Sequence, residues 1–535
     1  MKRHCSLIEA VHTDAPQSTN RIMIGKSLGQ LPRPSEMPHR STLNRREMIQ
    51  MSAAGGLGAV IGAAEFSGPI IAADPPATPA ATSKSPIQTR MFWTWDHSTE
   101  WALNRAGAHT HGSCNEYGRS TEAFLQDYTS LLRWCGRHHI DAVVVWGLLR
   151  DGHGGLESAK RLCDVAAKEK VRLLCGVGLN AYGGVYYEGN SPLNLERHLE
   201  RYPELNAVDT DGNLLNFSID GNGVKTPIKT KGMPGPRGFY QACPSRRENQ
   251  DFIAESLAWL FKNLPLGGVQ METGDTGICQ CKLCRDRRQH SRLPFSWLSW
   301  EDMGLMYPLA TKAVRSAAPD AWVVCETYSH PQPYQGPDKP PKFGDAMPAW
   351  AAAELAKFPR GIFVQWVADY FMKNGDVTPA WTSEGRVSNA DHRHVMRSHL
   401  ATSWFGNRGE LAVDGIANMV QRSMASGFDG ISLFGEVSPF HAGAELNYLA
   451  LADYGGAGNP KADLDAFQRR VAAPLLGGVE NARDFVRFAR LSRDRPQIPA
   501  ALTSIYGRLP SLPPDAARRW CWLANQLASF VPVEP

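Results

Sequence analysis

The chain has 535 residues, of which 43% are hydrophobic and 21% are charged, so it is long enough and apolar enough to bury the core of a large domain with appendages. Its 57 Lys and Arg residues nearly balance its 53 Asp and Glu residues, and the formal net charge is only +4. This small surplus on a chain of this length argues against a nucleic-acid-binding protein.

Residues 1–73 are predicted to be an N-terminal extension with an export signal. Arg45 and Arg46 precede a weakly apolar run from Met51 to Ala64, and small residues follow near Ala72. This order is typical of a signal peptide, and the paired arginines resemble a twin-arginine signal. The run is too short to span a membrane. We therefore expect an exported, periplasmic or extracellular protein without a stable membrane span, the alternative being a short core helix.

After a Pro-, Ala- and Thr-rich linker over residues 74–88, short apolar strands alternate with amphipathic helices as far as residue 454. Near-continuous apolar runs are typical of parallel strands that are covered on both faces. This pattern predicts an α/β fold, a (β/α)₈ TIM barrel. The eight strand candidates are Met91–Trp95, Ile140–Trp146, Val171–Val177, Gly267–Glu272, Ala321–Cys325, Gly361–Val367, Val395–Trp404 and Phe428–Phe434.

Two further regions complete the predicted organisation. A long insertion, Tyr182–Glu248, follows the third strand and would lie over the mouth of the barrel. Residues 455–535 have a helical pattern and are predicted to form a C-terminal helical region packed on the barrel.

The acidic residues at strand ends are the candidate catalytic groups. Barrel active sites lie at the carboxyl ends of the strands, and a carboxylic acid in a partly dry site there suits general acid catalysis. Glu272, at the end of the fourth strand, is the predicted general acid, and Asp275 would orient it or bind substrate. Cleavage of a glycosidic bond needs a second carboxylate. Glu436 is slightly favoured over Glu326 for this role, and a structural role is the alternative for each.

Aromatic and polar residues near other strand ends are candidate substrate-binding residues. A tryptophan face stacks well on a sugar ring, although core packing is the alternative reading for each tryptophan. Trp93 and Trp95 are two residues apart on a strand and are predicted to share a face. The candidates are Trp95, His97, His111, Trp146, Tyr328, His330, Trp366, Asp369, Trp404, Asn407 and Arg408.

Two groups of residues could bind metal. His109 and His111, with Glu116 and Asp96, would suit a metal-dependent hydrolase.

Cys279, Cys281 and Cys284 form a compact cluster that Cys243 could complete. Four thiolates fit a structural zinc ion, and one or two disulfides fit equally after export. Either the zinc ion or the disulfides would hold the loop that carries Glu272 in place. No other cofactor is expected.

Four further cysteines, Cys135, Cys163, Cys175 and Cys521, lie within apolar patterns. They are expected to be buried thiols.

Three stretches resemble a known group of proteins: Ala242–Ser245, Gly267–Cys284 and Glu445–Leu449. On these the chain looks like secreted bacterial glycoside-hydrolase-like (β/α)₈ barrels, loosely similar to α-glucuronidase-like and family 20-like hexosaminidase barrels. The resemblance covers Tyr182 to about Tyr454. It implies a proton donor after the fourth strand, which matches Glu272 alone. Family 20-like enzymes use an adjacent Asp-Glu pair, which this sequence lacks at that point.

The sequence therefore predicts an exported glycoside hydrolase that acts on a polysaccharide or oligosaccharide. Two other classes remain open: a non-catalytic carbohydrate-binding barrel, and a metal-dependent hydrolase that uses the His109 and His111 loop.

Overall fold

The computed structural model describes residues 85–101, 119–219, 225–227, 239–274, 277–290, 299–327, 349–367, 391–398, 400, 410–425, 427–493 and 495–531. The predicted export signal and most of the linker lie outside these residues. No helix in the described part of the chain is both long and apolar enough to cross a membrane.

Eight parallel strands form a closed barrel, and each strand pairs with the next one along the chain until the last closes on the first. The predicted (β/α)₈ fold is thus confirmed. The barrel strands are β1 (Thr89–Trp95), β2 (Ala142–Trp146), β3 (Arg172–Gly178), β4 (Gly268–Glu272), β5 (Trp322–Glu326), β6 (Phe363–Val367), β7 (Arg393–Ser398) and β8 (Gly430–Phe434).

Helices connect these strands and cover the barrel. The α-helices in the described residues are α1 (Thr121–Arg137), α2 (Gly155–Glu169), α3 (Leu195–Arg201), α4 (Arg247–Asn263), α5 (Lys282–Arg287), α6 (Trp300–Ala317), α7 (Ala349–Leu355), α8 (Val413–Ala425), α9 (Ala442–Asp453), α10 (Leu464–Phe467), α11 (Ala473–Leu476), α12 (Val479–Ala489), α13 (Ile498–Arg508) and α14 (Pro514–Ala528).

Strand residues alternate between the barrel interior and the layer beneath the helices. In β1, Trp93 and Trp95 belong to the interior cluster, with ring centroids 5.3 Å apart, so the prediction that they share a face is confirmed. Phe92, between them, faces outward and lies 4.7 Å from the ring of Tyr448 on α9. Strand β7 starts and ends earlier than predicted, and Trp404 lies outside the described residues.

The insertion after β3 contains α3 and a small antiparallel sheet of three strands, Asn216–Ile219, Lys225–Pro227 and Phe239–Tyr240. A backbone hydrogen bond anchors it to the segment that directly follows β3, because Ala242 donates to the carbonyl of Asn180 at 2.8 Å. Within the insertion, Leu195 donates to the carbonyl of Gly183 at 2.8 Å. The insertion is therefore tied to the carboxyl end of the barrel, where an active site would lie.

Helices α10–α14 form the C-terminal helical region, which packs against α9. Trp520 on α14 is fully buried, with its ring centroid 5.0 Å from that of Phe485. Arg519 donates through Nε and Nη2 to the two carboxylate oxygens of Glu445 on α9, at 2.7 and 2.5 Å. A bidentate pair of this kind fixes orientation as well as contributing energy.

The expectations for the remaining cysteines hold for three of the four. Cys135, Cys163 and Cys175 are buried, whereas Cys521 is exposed. Cys521 follows Trp520 on α14, and this position turns toward solvent while Trp520 faces the core.

Candidate active site

The carboxyl ends of β4 and β5 bring two glutamates together. Met271 pairs with Cys325 in the parallel ladder, so Glu272 and Glu326, the last residues of these strands, are neighbours. Both side chains face the barrel interior, because alternate strand residues face the same way and Gln270 and Val324, two residues earlier, face the interior. Glu272 is 1% exposed and Glu326 is fully buried. The predicted acid and one candidate for the second carboxylate thus lie on adjacent strands.

A glutamine inside the barrel links this acidic pair to two tryptophans. Trp93 and Trp146 each donate an indole N–H to Oε1 of Gln270, at 3.0 and 2.7 Å. Nε2 of Gln270 in turn donates to Oε2 of Glu326 at 3.2 Å. Because all four side chains are buried, these hydrogen bonds replace the water that the polar groups have lost.

One further hydrogen-bond donor and one guanidinium lie at the same carboxylate oxygen of Glu326. Gln365 on β6 donates to it through Nε2 at 2.5 Å, and Nη1 of Arg397 on β7 lies 3.5 Å from it. Arg397 is 1% exposed, and its guanidinium carbon lies 4.9 Å from the ring centroid of Trp93. Two amide groups therefore donate to the Glu326 carboxyl group, and one guanidinium lies beside it.

Aromatic residues lie beside this polar group at the carboxyl end of the barrel. The indole of Trp95 lies 5.2 Å from that of Trp146, 5.9 Å from the ring of Tyr182 and 5.7 Å from the ring of Tyr187. His97 lies 5.3 Å from Trp95. These aromatic rings are buried next to the hydrogen-bonded group around Gln270.

Gly176 on β3 makes room for this arrangement. A Cβ at Gly176 would lie 2.5 Å from the indole of Trp146, closer than side-chain atoms approach one another. Only glycine lets the indole lie flat across the neighbouring strand.

Asp96 is the centre of a buried ion-pair cluster. Arg150 donates to it through Nε at 2.7 Å and Nη2 at 3.2 Å, and His153 and His97 approach its carboxylate at 3.5 and 3.6 Å. Burial by itself would raise the pKa of Asp96, but the charge of Arg150 and the histidine contacts outweigh it and hold that pKa well below its ordinary value.

This cluster bears on the metal-dependent alternative. Asp96 already faces a guanidinium in close contact, so its carboxylate is engaged as an ion-pair partner. His109, His111 and Glu116, the other ligands of that hypothesis, lie outside the described residues. Within the described part of the chain, the four cysteines discussed below are the one group whose donor atoms lie close enough together to hold a metal ion.

Glu436 connects the ends of β8 and β1. Its Oε1 accepts hydrogen bonds from the backbone N–H of Trp95 at 3.0 Å and from the hydroxyl of Ser98 at 2.6 Å. The carboxylate thereby supports the turn that follows β1, and the side chain is 2% exposed. This structural use weakens the preference for Glu436 as the second carboxylate.

Trp366 faces away from the barrel interior. Its ring is tilted against that of Trp300 of α6, with centroids 5.9 Å apart, and its indole N–H donates to Nδ1 of His394 at 3.1 Å. The inward residue of this strand is Gln365, its neighbour. Trp366 therefore packs beneath the helices, and the prediction that it binds sugar at the barrel mouth is wrong.

The other candidate site residues lie outside the described part of the chain. They are Asp275, His111, Tyr328, His330, Asp369, Trp404, Asn407 and Arg408.

Several site residues were missed by the sequence analysis. Gln270, Gln365 and Arg397 are polar residues inside otherwise apolar strand runs, and this contrast was a signal that they face one another in the barrel. Arg150, Tyr182 and Tyr187 gave no such signal, because they lie after the strands in segments of mixed polar and apolar residues without a regular period.

The four predicted cluster cysteines come together beside this site. Their sulfur atoms all lie within 4.8 Å of one another, and those of Cys281 and Cys284 lie 3.6 and 3.5 Å from that of Cys243. Contacts with Cys243 and Cys279 lower the pKa of Cys284. The surrounding cluster includes Ala207, Val208 and Leu215 of the insertion after β3.

No family model and no curated protein matches this chain. Solved structures similar to it include a glycoside hydrolase family 20 β-N-acetylglucosaminidase, at 12% identity and a TM-score of 0.42 over 74% of this chain and 76% of that one. They also include the β-N-acetylhexosaminidase from Bacteroides fragilis, at 12% identity and a TM-score of 0.39 over 73% and 70% of the two chains. An α-amylase from Geobacillus thermoleovorans aligns at 12% identity and a TM-score of 0.38 over 66% and 72%. These three neighbours are enzymes that hydrolyse glycosidic bonds, and each TM-score is below 0.5.

Proposed function

We propose that this protein is a glycoside hydrolase and that Glu272 and Glu326 are its two catalytic carboxyl groups. The observation that carries the proposal is the pairing of β4 with β5, which makes these two inward-facing glutamates neighbours at the carboxyl end of the barrel. Neighbouring parallel strands lie about 4.8 Å apart. The two carboxyl groups of retaining glycosidases are about 5 to 5.5 Å apart.

Glu272 is the general acid in this mechanism. It would protonate the oxygen of the leaving sugar while the bond to the anomeric carbon breaks. Its burial suits this role, because a dry site favours the protonated form of a carboxyl group.

Glu326 is the second carboxylate. Gln270 and Gln365 donate hydrogen bonds to it, and the guanidinium of Arg397 lies within 3.5 Å of it, so its position is fixed. A carboxylate held in this way can attack the anomeric carbon or stabilise the positive charge that develops there. Because Glu272 and Glu326 are neighbours, we expect hydrolysis with retention of anomeric configuration.

The substrate class follows from the aromatic group around Trp95. Together with Tyr182 and Tyr187, this indole could stack against one sugar ring of a polysaccharide or oligosaccharide. The insertion after β3 is placed to add further sugar-binding subsites.

The experiment is a release assay on the full chain. Acidic, N-acetylated and neutral polysaccharides are incubated with the wild type and with Glu272→Gln, and soluble sugars are measured. We expect product from one class of glycan and a loss of activity of about 10² to 10⁴-fold in the variant. Binding of a glycan without cleavage by the wild type would favour the carbohydrate-binding barrel instead.

Export by the twin-arginine route is part of the proposal. In a bacterial host the wild type is expected in the periplasm or medium, shortened near Ala72, while a variant with Arg45→Lys and Arg46→Lys stays in the cytoplasm. Equal export of both forms would refute the twin-arginine assignment.

A further inference from the structure

The four clustered cysteines come from two distant parts of the chain. Cys243 precedes α4, whereas Cys279, Cys281 and Cys284 lie between β4 and α5 or within α5. Three of the four are buried and Cys281 is half-buried, so the group is largely shielded from water.

The spacing of the sulfur atoms fits four thiolates around one zinc ion. With zinc–sulfur bonds of about 2.3 Å in a tetrahedron, neighbouring sulfurs are about 3.8 Å apart. Cys243 lies 3.6 and 3.5 Å from the sulfurs of Cys281 and Cys284, and the largest separation in the group is within 4.8 Å. We propose that Cys243, Cys279, Cys281 and Cys284 bind a structural zinc ion.

A pair of disulfides fits this arrangement less well. The sulfur of Cys243 approaches those of Cys281 and Cys284 at nearly equal distances, as expected of ligands around a common centre. A disulfide would join Cys243 to only one partner, with the sulfurs about 2.05 Å apart, and would not account for the close contact of Cys243 with the second sulfur.

The surroundings supply the partners that a thiolate site needs. The hydroxyl of Ser245 lies 3.1 Å from the sulfur of Cys284, and Nε of Arg287 donates to that hydroxyl at 3.0 Å. Arg288 is fully buried and donates through Nη1 to the carbonyl of Cys279. The guanidinium groups of Arg287 and Arg288 therefore lie beside the cysteine cluster, and Asp302 balances one of their two positive charges. A zinc ion with four thiolates has a net charge of −2, which these cationic groups would partly offset.

Formation of the site is an exchange of protons for metal. Each thiol releases its proton to solvent and each sulfur forms a bond to Zn²⁺, so no electrons are transferred and no oxidant is needed. With four protein ligands the ion has no open position for a substrate, so its role is structural.

The zinc ion would join the insertion after β3 to the segment that follows β4. Backbone hydrogen bonds already run alongside it: Gln280 donates to Val208 at 2.6 Å, and Cys243 donates to Leu205 at 3.0 Å. The segment that the ion anchors begins seven residues after Glu272. The metal therefore fixes the loop that leaves the candidate active site.

The test measures zinc directly and is independent of any glycosidase activity. The full chain is purified without a metal-binding tag and without chelators, and its metal content is measured by mass spectrometry. We expect about one zinc ion per chain, with an X-ray absorption spectrum showing four sulfur ligands at about 2.3 Å. Cys243→Ser should lose the zinc, whereas the matched control Cys521→Ser, at an exposed cysteine, should retain it.

Two results would overturn the inference. One is zinc-supplemented protein that carries no zinc, or carries it with nitrogen or oxygen ligands in the absorption spectrum. The other is a disulfide between any two of the four cysteines in the unreduced wild type, detected by peptide mapping. Because both measurements are made on the wild type, they decide the question even if Cys243→Ser does not fold.

Discussion

Replacing Arg150 by methionine tests whether the cluster around Asp96 is a buried ion pair. Asp96 is fully buried and Arg150 is 2% exposed, with Nε and Oδ2 2.7 Å apart. The substitution leaves the carboxylate in a dry site without its main partner. Removing one member of a buried pair costs about 3 to 5 kcal/mol in the free energy of unfolding.

The matched control is Arg247→Met on α4. Its ion pair with Asp251 has nearly the same distance, 2.8 Å, but the two side chains are 76% and 48% exposed. An exposed pair contributes little to stability, because water and salt screen the two charges. The difference between the two variants, measured by urea unfolding, therefore isolates the effect of burial from that of distance.

The sign of the pH dependence gives a second readout. In the wild type the pKa of Asp96 is depressed, so its contribution is present above the unfolded pKa of about 3.9 and is lost as pH falls through the folded value. Without Arg150, burial dominates and this pKa moves above the unfolded value. The cost of Arg150→Met should therefore grow as pH rises from about 5 to about 8.

His97, His153 and Glu188 also lie at this cluster, so the Asp96 contribution must be isolated. In Asp96→Asn with Arg150→Met, the additional cost at high pH should disappear because the titrating group is gone. A cost for Arg150→Met that stays below about 1 kcal/mol, or that does not change with pH, would refute the buried ion pair.

Two further substitutions test the packing of the site and of the C-terminal region. Gly147→Ala should destabilise the protein by more than about 3 kcal/mol, because its backbone has φ +85° and the new Cβ would lie 2.3 Å from the Asp96 carboxyl group. Gly427→Ala, at φ +74° in open space, should destabilise it by only about 1 kcal/mol. Both costs are measured by thermal unfolding. Arg519→Met should destabilise by about 2 to 4 kcal/mol by breaking the bidentate pair with Glu445, and limited proteolysis should then cut within residues 455–531 first. Equal costs for the two glycine variants, or an unchanged proteolysis pattern, would contradict these assignments.

The eight strands could be predicted from the sequence because their signal is local. A strand covered on both faces is a short, nearly unbroken apolar run, as in Ala142–Trp146, and it can be recognised without knowing its neighbours. The start of α1 is local too: the side chain of Ser120 accepts from the backbone N–H of Ala123, as an N-cap serine does.

The direction of a side chain in such a strand is harder to predict, because an unbroken apolar run does not show which alternate residues face the barrel interior and which face the helices. The sequence predicts Trp366 at the barrel mouth, whereas its side chain faces the helices. The polar residue beside it, Gln365, indicates which face is inward, because a lone glutamine in a buried run must face a polar partner.

The long-range partners could not be predicted. Arg150 is 54 residues from Asp96, and Glu326 is 71 residues from Arg397 along the chain. Their contacts depend on barrel closure and on the strand register, which no local pattern specifies. The same limit applies to Glu436, whose sequence position resembles that of Glu326 although its carboxylate supports the turn at Ser98.

The most direct test of the catalytic assignment compares three glutamine variants on the glycan that the release assay identifies. Glu272→Gln and Glu326→Gln should each lower kcat/KM by about 10² to 10⁴-fold. Glu436→Gln is the matched control, because a glutamine Oε1 can still accept the hydrogen bonds from Trp95 and Ser98, and it should retain activity within about tenfold. Loss of activity in Glu436→Gln together with retention in Glu326→Gln would contradict the proposed pair, and full activity in Glu272→Gln would contradict the mechanism itself.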